Sequence, residues 1–186
     1  NVGTVGVSTG GEIADFLTPV ATAFALAGQI YIAQLAGAKR HDVLKESVGS
    51  FLSLMMGLSF AFAIVSIVFS APILAMLNCP EESIQSARAY MIITAIGYPA
   101  IFGYNAVCGV LRGMGESKRP LIFIIVAAVV NIFLDLLLVI VFKLDAAGTA
   151  IATVISQLAS FVAAFIYMYR IRDEIGFQLK FSSFKM

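Results

Sequence analysis

The sequence has 186 residues, of which 60% are hydrophobic and only 12% are charged, with a formal net charge of +1. Soluble domains carry about 45–50% apolar and about 25% charged residues, and a soluble fold of this size cannot bury so much apolar surface. The composition therefore excludes an ordinary soluble domain, and no basic run is long enough to indicate a nucleic-acid partner. It predicts an all-α fold, a polytopic membrane helix bundle.

Five segments have the roughly 20 mostly apolar residues that a membrane-spanning helix needs. They cover about residues 13–37, 48–74, 87–111, 120–142 and 148–169. The first is the weakest, because Glu12 and Asp15 lie at its start, and the fourth is the strongest, with Asp135 as its single charged residue. Residues 1–170 are therefore predicted to form one transmembrane bundle, and residues 171–186 a cytoplasmic or interfacial linker.

The basic residues collect in alternate connections, which predicts an orientation. Cytoplasmic loops of membrane proteins are enriched in Lys and Arg. Ten of the twelve basic residues follow the first, third or fifth span: Lys39, Arg40, Lys45, Arg112, Lys118, Arg119, Arg170, Arg172, Lys180 and Lys185. Of the basic residues, only Arg88 and Lys143 lie on the opposite side. This partition predicts a multi-pass protein of the cell membrane, with the N-terminus outside and the C-terminus in the cytoplasm.

The sequence offers little for catalysis or for a resident cofactor. His41 is the single histidine and lies among charges at a helix end, whereas Cys79 falls in a connection and Cys108 in a span. A disulfide framework is not expected from this placement. An integral-membrane enzyme would need acids, histidines or cysteines clustered at one interface, and the sequence shows no such cluster. We therefore predict no enzyme activity, no cofactor and no metal centre.

Asp135 is the most informative residue, because it lies deep in the fourth span. A charge at that depth costs about 2.5–3.5 kcal/mol on insertion scales and usually faces protein or a water-filled cavity. Asn131 is four residues earlier and shares its helical face. Together they could hold a proton or a small cation such as Na⁺. The alternative is that the pair only joins helices, at about 0.6 kcal/mol for each hydrogen bond.

Further polar residues could complete such a site. A stripe at helical spacing on the fifth span consists of Thr149, Thr153, Ser156 and Gln157. Gln29 and Gln34 lie in the first span and could line a substrate cavity together with Gln157. For each of these residues the alternative is helix–helix packing or a hydrogen bond between helices, and for single members of the stripe packing is the favoured interpretation.

Four stretches of the sequence, taken together, resemble the multidrug and toxic compound extrusion (MATE) transporters. In chain order they are QIYIAQLAGAKR, YMIITAIGYPAIFGYNAVCGVLRGMGESKRP, NIFLDLLLVI and GTAIATVISQ. Their order and spacing are similar to the first half of that family, over nearly the whole chain. The resemblance implies spans two to six of a six-helix N-terminal lobe. The first span and a second lobe of the twelve-span transporter would then be missing from this sequence.

The resemblance also implies a function and a site. Members of the family export drugs and other, often cationic, organic compounds in exchange for H⁺ or Na⁺. In some members a cation site combines an acid on the first span with an Asn and an Asp on the fifth and a Thr on the sixth. Asn131, Asp135 and Thr153 match the last three by motif and spacing, and the acid has no counterpart here. The implied partners are an organic substrate, membrane lipid and the rest of the transporter.

Two other functions stay open at this point. A lipid-linked polysaccharide flippase of the same superfamily would be expected to have a larger basic cavity, yet the predicted spans have no Lys or Arg in their middles. A membrane scaffold without transport would be expected to bury Asp135 among permanent partners. The chain alone is not expected to transport, because half of the cavity wall would be absent.

Overall fold

The computed structural model describes the backbone of residues 2–171 and the side chains of residues 11, 17–144 and 147–171. Within this part the α-helices are α1 Val2–Gly37, α2 His41–Val68, α3 Ser70–Met76, α4 Ile84–Gly113, α5 Lys118–Asp135 and α6 Asp145–Arg170. A 3-10 turn, Glu81–Ser83, precedes α4, and a π-helix, Leu136–Val141, continues α5. The described residues contain no strand, so the all-α prediction is confirmed. The predicted linker 171–186 lies outside the described residues, apart from Ile171.

Five helical stretches between residues 2 and 171 are long and apolar enough to cross a membrane, which confirms the predicted number of spans. They are Leu17–Gly37, His41–Val68, Glu81–Gly113, Lys118–Val141 and Ala147–Arg170. The most apolar part of Lys118–Val141 has a mean hydropathy of 3.0, and none of its residues is buried. A helix this apolar and this little covered by its own bundle requires lipid or another helix around it.

The second crossing differs from the predicted segment 48–74. The helix begins at His41 and breaks after Val68, where Phe69 has φ −96° and ψ 16°. Pro72 supplies the physical reason. It has no N–H to donate to the carbonyl of Val68, and in a continuous helix its ring would crowd that carbonyl. The chain therefore resumes as the separate short helix α3, in whose first turn a proline is tolerated.

α4 is the central helix of the bundle and packs against α1, α2 and α6. Its contact with α1 is close, because α4 presents glycines four residues apart. A Cβ atom on Gly109 would lie 2.8 Å from the carbonyl oxygen of Ala25, and one on Gly113 would lie 2.8 Å from that of Gln29. Small residues at this spacing let two helix backbones approach in a membrane. The facing residues Ala21 and Ala25 on α1 are fully buried.

The bundle has two chemically different ends. We call the end where α1, α4 and α6 finish and α2 and α5 begin the basic end. Its basic residues, within the described part, are Lys39, Arg40, Lys45, Arg112, Lys118, Arg119 and Arg170. Just inside it lies a hydrophobic cluster, the basic-end core, built on the buried residues Ile32, Leu35, Leu44, Val48, Tyr104, Val107, Cys108, Val110, Leu111, Ala164 and Met168. This core fills the basic end of the bundle.

Candidate functional site

α5 and α6 run antiparallel, and two observations fix their register. The Ser160 hydroxyl donates to the carbonyl oxygen of Phe123 at 3.4 Å. Two turns further from the basic end, Asn131 and Thr153 line one common cavity. Both pairs fit a single antiparallel register. The structure therefore brings together the two helices that carry the predicted polar residues.

The cavity has a volume of about 200 Å³ and lies between α4, α5 and α6. It is lined by Tyr104, Ile124, Ala127, Ala128, Asn131, Thr153, Ser156 and Gln157. Drug-sized ligands usually occupy pockets of about 300–1,000 Å³. This cavity is therefore large enough for a few water molecules or part of an organic molecule, and a whole drug-sized ligand would need further walls.

The hydroxyl groups in the cavity wall are bonded to their own helix. The Thr153 hydroxyl donates to the carbonyl oxygen of Thr149 at 3.0 Å, and the Ser156 hydroxyl donates to that of Thr153 at 2.9 Å. Because each hydroxyl has one proton and that proton is used, only the oxygen lone pairs of these side chains are left for a ligand. The α6 wall thus offers oxygen acceptors, which suit cations and hydrogen-bond donors.

Asn131 and Asp135 carry polar atoms that are buried and unpaired. Asn131 Nδ2 and Asp135 Oδ1 have no hydrogen-bond partner among the described residues. Each unpaired buried polar atom costs about 1–3 kcal/mol. Asp135 itself does not line the cavity; the α5–α6 register places it level with Thr149, one turn beyond the Asn131–Thr153 pair. A water molecule at this position could accept from Asn131 Nδ2 and donate to Asp135 Oδ1, whereas a proton or a cation would satisfy the Asp135 oxygen alone.

The backbone changes character directly after Asp135. The π-helix Leu136–Val141 begins at the next residue, and the Phe142 N–H donates to the carbonyl oxygen of Leu137 at 3.1 Å, in the five-residue spacing of a π-helix. Single π-helical turns are rare and occur frequently at functional sites. The half-buried carboxylate of Asp135 therefore lies at a point where the helix departs from α geometry.

The remaining predicted cavity residues fall in different places. Gln157 lines the cavity beside Thr153. Gln29 is half-buried on α1, and its Oε1 is buried without a hydrogen-bond partner among the described residues. Gln34 is exposed on the same helix. Neither Gln29 nor Gln34 is among the residues that line this cavity. Sequence reasoning missed Tyr104, whose only signal was an aromatic residue within an apolar run.

Comparison with known proteins gives consistent matches. The MatE family model matches residues 3–137. The Probable multidrug resistance protein YoeA of Bacillus subtilis (strain 168) is 35% identical over 152 residues, which are 80% of this chain and 33% of that protein. The Probable multidrug resistance protein YpnP of the same strain is 37% identical over 123 residues, or 66% of this chain and 28% of that protein.

Solved structures match the same helices. A crystal structure of a MATE protein in complex with MaD3S superposes with a TM-score of 0.92 over 100% of this chain and 42% of that chain, at 18% identity. An inward-facing multidrug resistance MATE transporter matches with the same TM-score of 0.92 at 18% identity, again over 100% of this chain and 42% of the other. At this identity the likeness establishes the fold. The chain spans less than half the length of each of these proteins.

Proposed function

The chain belongs to the MatE family, and from this premise we propose that the full-length protein is a secondary active antiporter. It exports drugs or other organic, often cationic, compounds in exchange for H⁺ or Na⁺. Family membership confirms the resemblance seen in the sequence. The curated relatives YpnP and YoeA are named as multidrug resistance proteins, not as enzymes. The activity proposed here is that of a whole transporter of which this chain corresponds to a part.

One observation carries the proposal. Asp135 lies in a membrane-spanning stretch with a buried oxygen that has no partner among the described residues. A carboxylate is expensive at that depth unless its charge is neutralised, and an intramembrane acid marks an ion or substrate pathway more often than a structural joint. We assign to Asp135 the binding of H⁺ or Na⁺, and to Asn131 and Thr153 neutral oxygens that complete the site. One carboxylate with neutral oxygens suits a proton or a hard cation better than a transition metal.

The cavity lined by Asn131 and Thr153 has a wall that suits an organic substrate. Gln157 and Ser156 supply acceptors on α6, while Ile124, Ala127 and Ala128 supply an apolar surface on α5. A mixed wall of this kind is typical of small-molecule sites. Gln29 and Gln34 remain candidates for the α1 side of a larger cavity. Gln29 is the stronger of the two, because its Oε1 is buried and unpaired among the described residues.

The coupling follows from the charge of Asp135. An ionised carboxylate requires water or a cation around it, whereas the neutralised group can be enclosed between helices. An ion shifts the transporter between its two access states only if it binds them unequally. Neutralisation of Asp135 favours the state in which α5 closes on α6. Rocking of the two lobes then exposes the substrate cavity alternately to the two sides of the membrane.

The two alternatives have less support. A polysaccharide flippase would be expected to line its cavity with basic residues, and the cavity between α4, α5 and α6 has none in its wall. The relatives YpnP and YoeA carry multidrug names, which also does not favour a flippase. A scaffold would be expected to satisfy Asp135 permanently, whereas its Oδ1 has no hydrogen-bond partner within the described part of the chain.

Transport by the full-length protein tests the proposal directly. Reconstituted in liposomes, it is expected to move the organic cation ethidium against a gradient when an opposing H⁺ or Na⁺ gradient is applied. Thr153→Val removes one oxygen of the site and keeps the side-chain volume. It is expected to raise the ion concentration for half-maximal transport about tenfold, which corresponds to about 1.4 kcal/mol. Ethidium flux under such gradients is the measurement.

Thr153→Ser is the matched control, because it keeps the hydroxyl and should retain the ion dependence of the parent protein. Absence of ethidium transport under both gradients, in protein that elutes as a single folded species, would contradict the antiporter proposal. Equal behaviour of Thr153→Val and Thr153→Ser would remove Thr153 from the site while leaving the antiporter proposal in place.

We also propose that the basic end faces the cytoplasm, because Lys and Arg are retained there. Lys39 at the basic end and Lys143 at the opposite end make a matched pair: both are exposed, and both have φ 54°. In intact cells, an impermeant maleimide is expected to label Lys143→Cys, and to label Lys39→Cys only after permeabilisation. The reverse pattern would invert the orientation. Labelling is measured in the full-length protein with its other cysteines replaced.

A further inference from the structure

The side chain of Tyr104 lies at the end of the cavity between α4, α5 and α6 that is nearer the basic end. Tyr104 lines the cavity, and its hydroxyl donates to the carbonyl oxygen of Pro120 at 3.1 Å. Pro120 belongs to the first turn of α5, one turn nearer the basic end than Ile124, the last α5 residue of the cavity wall. The Tyr104 side chain therefore bridges α4 and α5 where the cavity ends.

Tyr104 also belongs to the basic-end core and lies at the edge of that core which faces the cavity. Among the described residues it is the one that both lines the cavity and belongs to that cluster. Only 8% of its surface is exposed, and the next residues towards the basic end on α4, Val107 and Cys108, are buried. The Tyr104 hydroxyl also interacts with the Cys108 thiol. The aromatic ring thus separates an open volume from a packed one.

A second hydrogen bond closes the same level from α6. The Ser160 hydroxyl reaches the carbonyl oxygen of Phe123, so the first turns of α5 are joined to α4 by Tyr104 and to α6 by Ser160. α5 is therefore joined to both of its neighbouring helices, α4 and α6, at its basic end.

Arg112 lies on the same face of α4 as Tyr104 and affects what could pass if Tyr104 moved aside. Tyr104, Cys108 and Arg112 are spaced four residues apart and follow one face of α4. Arg112 Nε is buried and has no hydrogen-bond partner among the described residues. A path that opened past Tyr104 would lead along Cys108 to a guanidinium group at the basic end. An organic cation on that path would meet a like charge.

We propose that Tyr104 is the barrier that closes the cavity towards the basic end. Its ring fills the passage, and its hydrogen bond to Pro120 keeps the ring there. When that bond breaks, the cavity opens along α4 towards Cys108 and Arg112. The barrier is a property of the bundle and goes beyond the proposed antiport, because it requires neither a particular coupling ion nor a particular substrate.

Cys108 is a built-in reporter for this barrier, since it lies buried directly behind Tyr104. The experiment uses the full-length protein in liposomes, with Cys79→Ser and any cysteine outside this chain also replaced. The probe is a methanethiosulfonate that carries a trimethylammonium-ethyl group. The Cys108 thiolate attacks the sulfenyl sulfur, a mixed disulfide forms, and methanesulfinate leaves. The rate of labelling, followed by mass shift of the protein, measures access from the cavity.

Tyr104→Ala removes the ring and is expected to raise the labelling rate at least about tenfold, as a shift from a mostly closed to a mostly open passage requires. Tyr104→Phe keeps the ring and removes only the hydrogen bond, so we expect a smaller increase, about two- to tenfold.

Tyr31→Ala is the matched control, because Tyr31 is a half-exposed tyrosine on the outer surface of α1. Cys108 in this variant should be labelled at the same rate as in the parent.

A Tyr104→Ala rate within about twofold of the parent would overturn the proposal, since a passage that is already open gains little from removal of the ring. If Tyr104→Ala fails to elute as a folded protein, Tyr104→Phe decides, and a rate equal to that of the parent overturns it. If Tyr104→Ala is labelled faster than the parent while the parent shows no ion-driven ethidium flux, the barrier is supported and the antiporter proposal is contradicted. The two proposals can therefore fail separately.

Discussion

Replacement of Asp135 by Asn in the full-length transporter is expected to remove the stimulation of efflux by an ion gradient. Asn cannot be ionised, so H⁺ or Na⁺ no longer has a charge to neutralise. The ion gradient then no longer shifts the equilibrium between the two access states. Coupling between two sites usually amounts to a factor of about 5–150, and we expect the whole factor to disappear. The measurement is ethidium flux in liposomes with and without the gradient, at equal protein amounts.

Thermal unfolding distinguishes this effect from misfolding. Asn131 and Asp135 carry buried atoms with no partner in the described part of the chain, and an intramembrane carboxylate costs about 2.5–3.5 kcal/mol on insertion scales. Asp135→Asn removes the charge, so its melting temperature should equal or exceed that of the parent. Glu116→Gln is the control, because Glu116 is an exposed acid in the α4–α5 connection. Gradient-stimulated efflux by Asp135→Asn equal to that of Glu116→Gln would exclude Asp135 from the coupling.

Gly109→Ala is expected to destabilise the protein, because it adds a methyl group to the close α1–α4 contact. The new Cβ would lie 2.8 Å from the carbonyl oxygen of Ala25, and a backbone atom in a helix cannot move aside as a flexible side chain can. Overpacking of this kind costs about 1–3 kcal/mol. A lower unfolding temperature of the full-length protein in detergent, compared with the parent, is the measurement.

Gly57→Ala is the matched control for this change. Gly57 lies within α2, and a Cβ atom there would have nothing within 4 Å of it. Since Ala has a higher helix propensity than Gly, by about 1 kcal/mol, this variant should be neutral or slightly stabilised. If Gly109→Ala unfolds at the same temperature as Gly57→Ala, α1 and α4 do not approach as closely as the structure shows.

The spans and the intramembrane acid could be predicted from the sequence because both are local properties. A helix satisfies its own backbone hydrogen bonds in hydrocarbon, so about 20 apolar residues are enough to identify a crossing. The relation of Asn131 to Asp135 is also local, because residues four apart share a helical face. The break before Pro72 carried a local signal too, since a proline cannot continue the bonding of the preceding turn.

Contacts between helices could not be obtained in this way. Apart from Asn131 and Asp135, the spanning part of α5 is apolar on all sides, so its sequence does not indicate which of the other helices it meets. Only the tertiary structure places Thr153 opposite Asn131 across one cavity and leaves Gln34 exposed on α1. Only the structure brings the Tyr104 hydroxyl to Pro120, because that bond joins two helices whose separation is set by the side chains packed between them. The sequence by itself thus determined the helices and the buried charge, and the packing of those helices decided which groups surround the cavity.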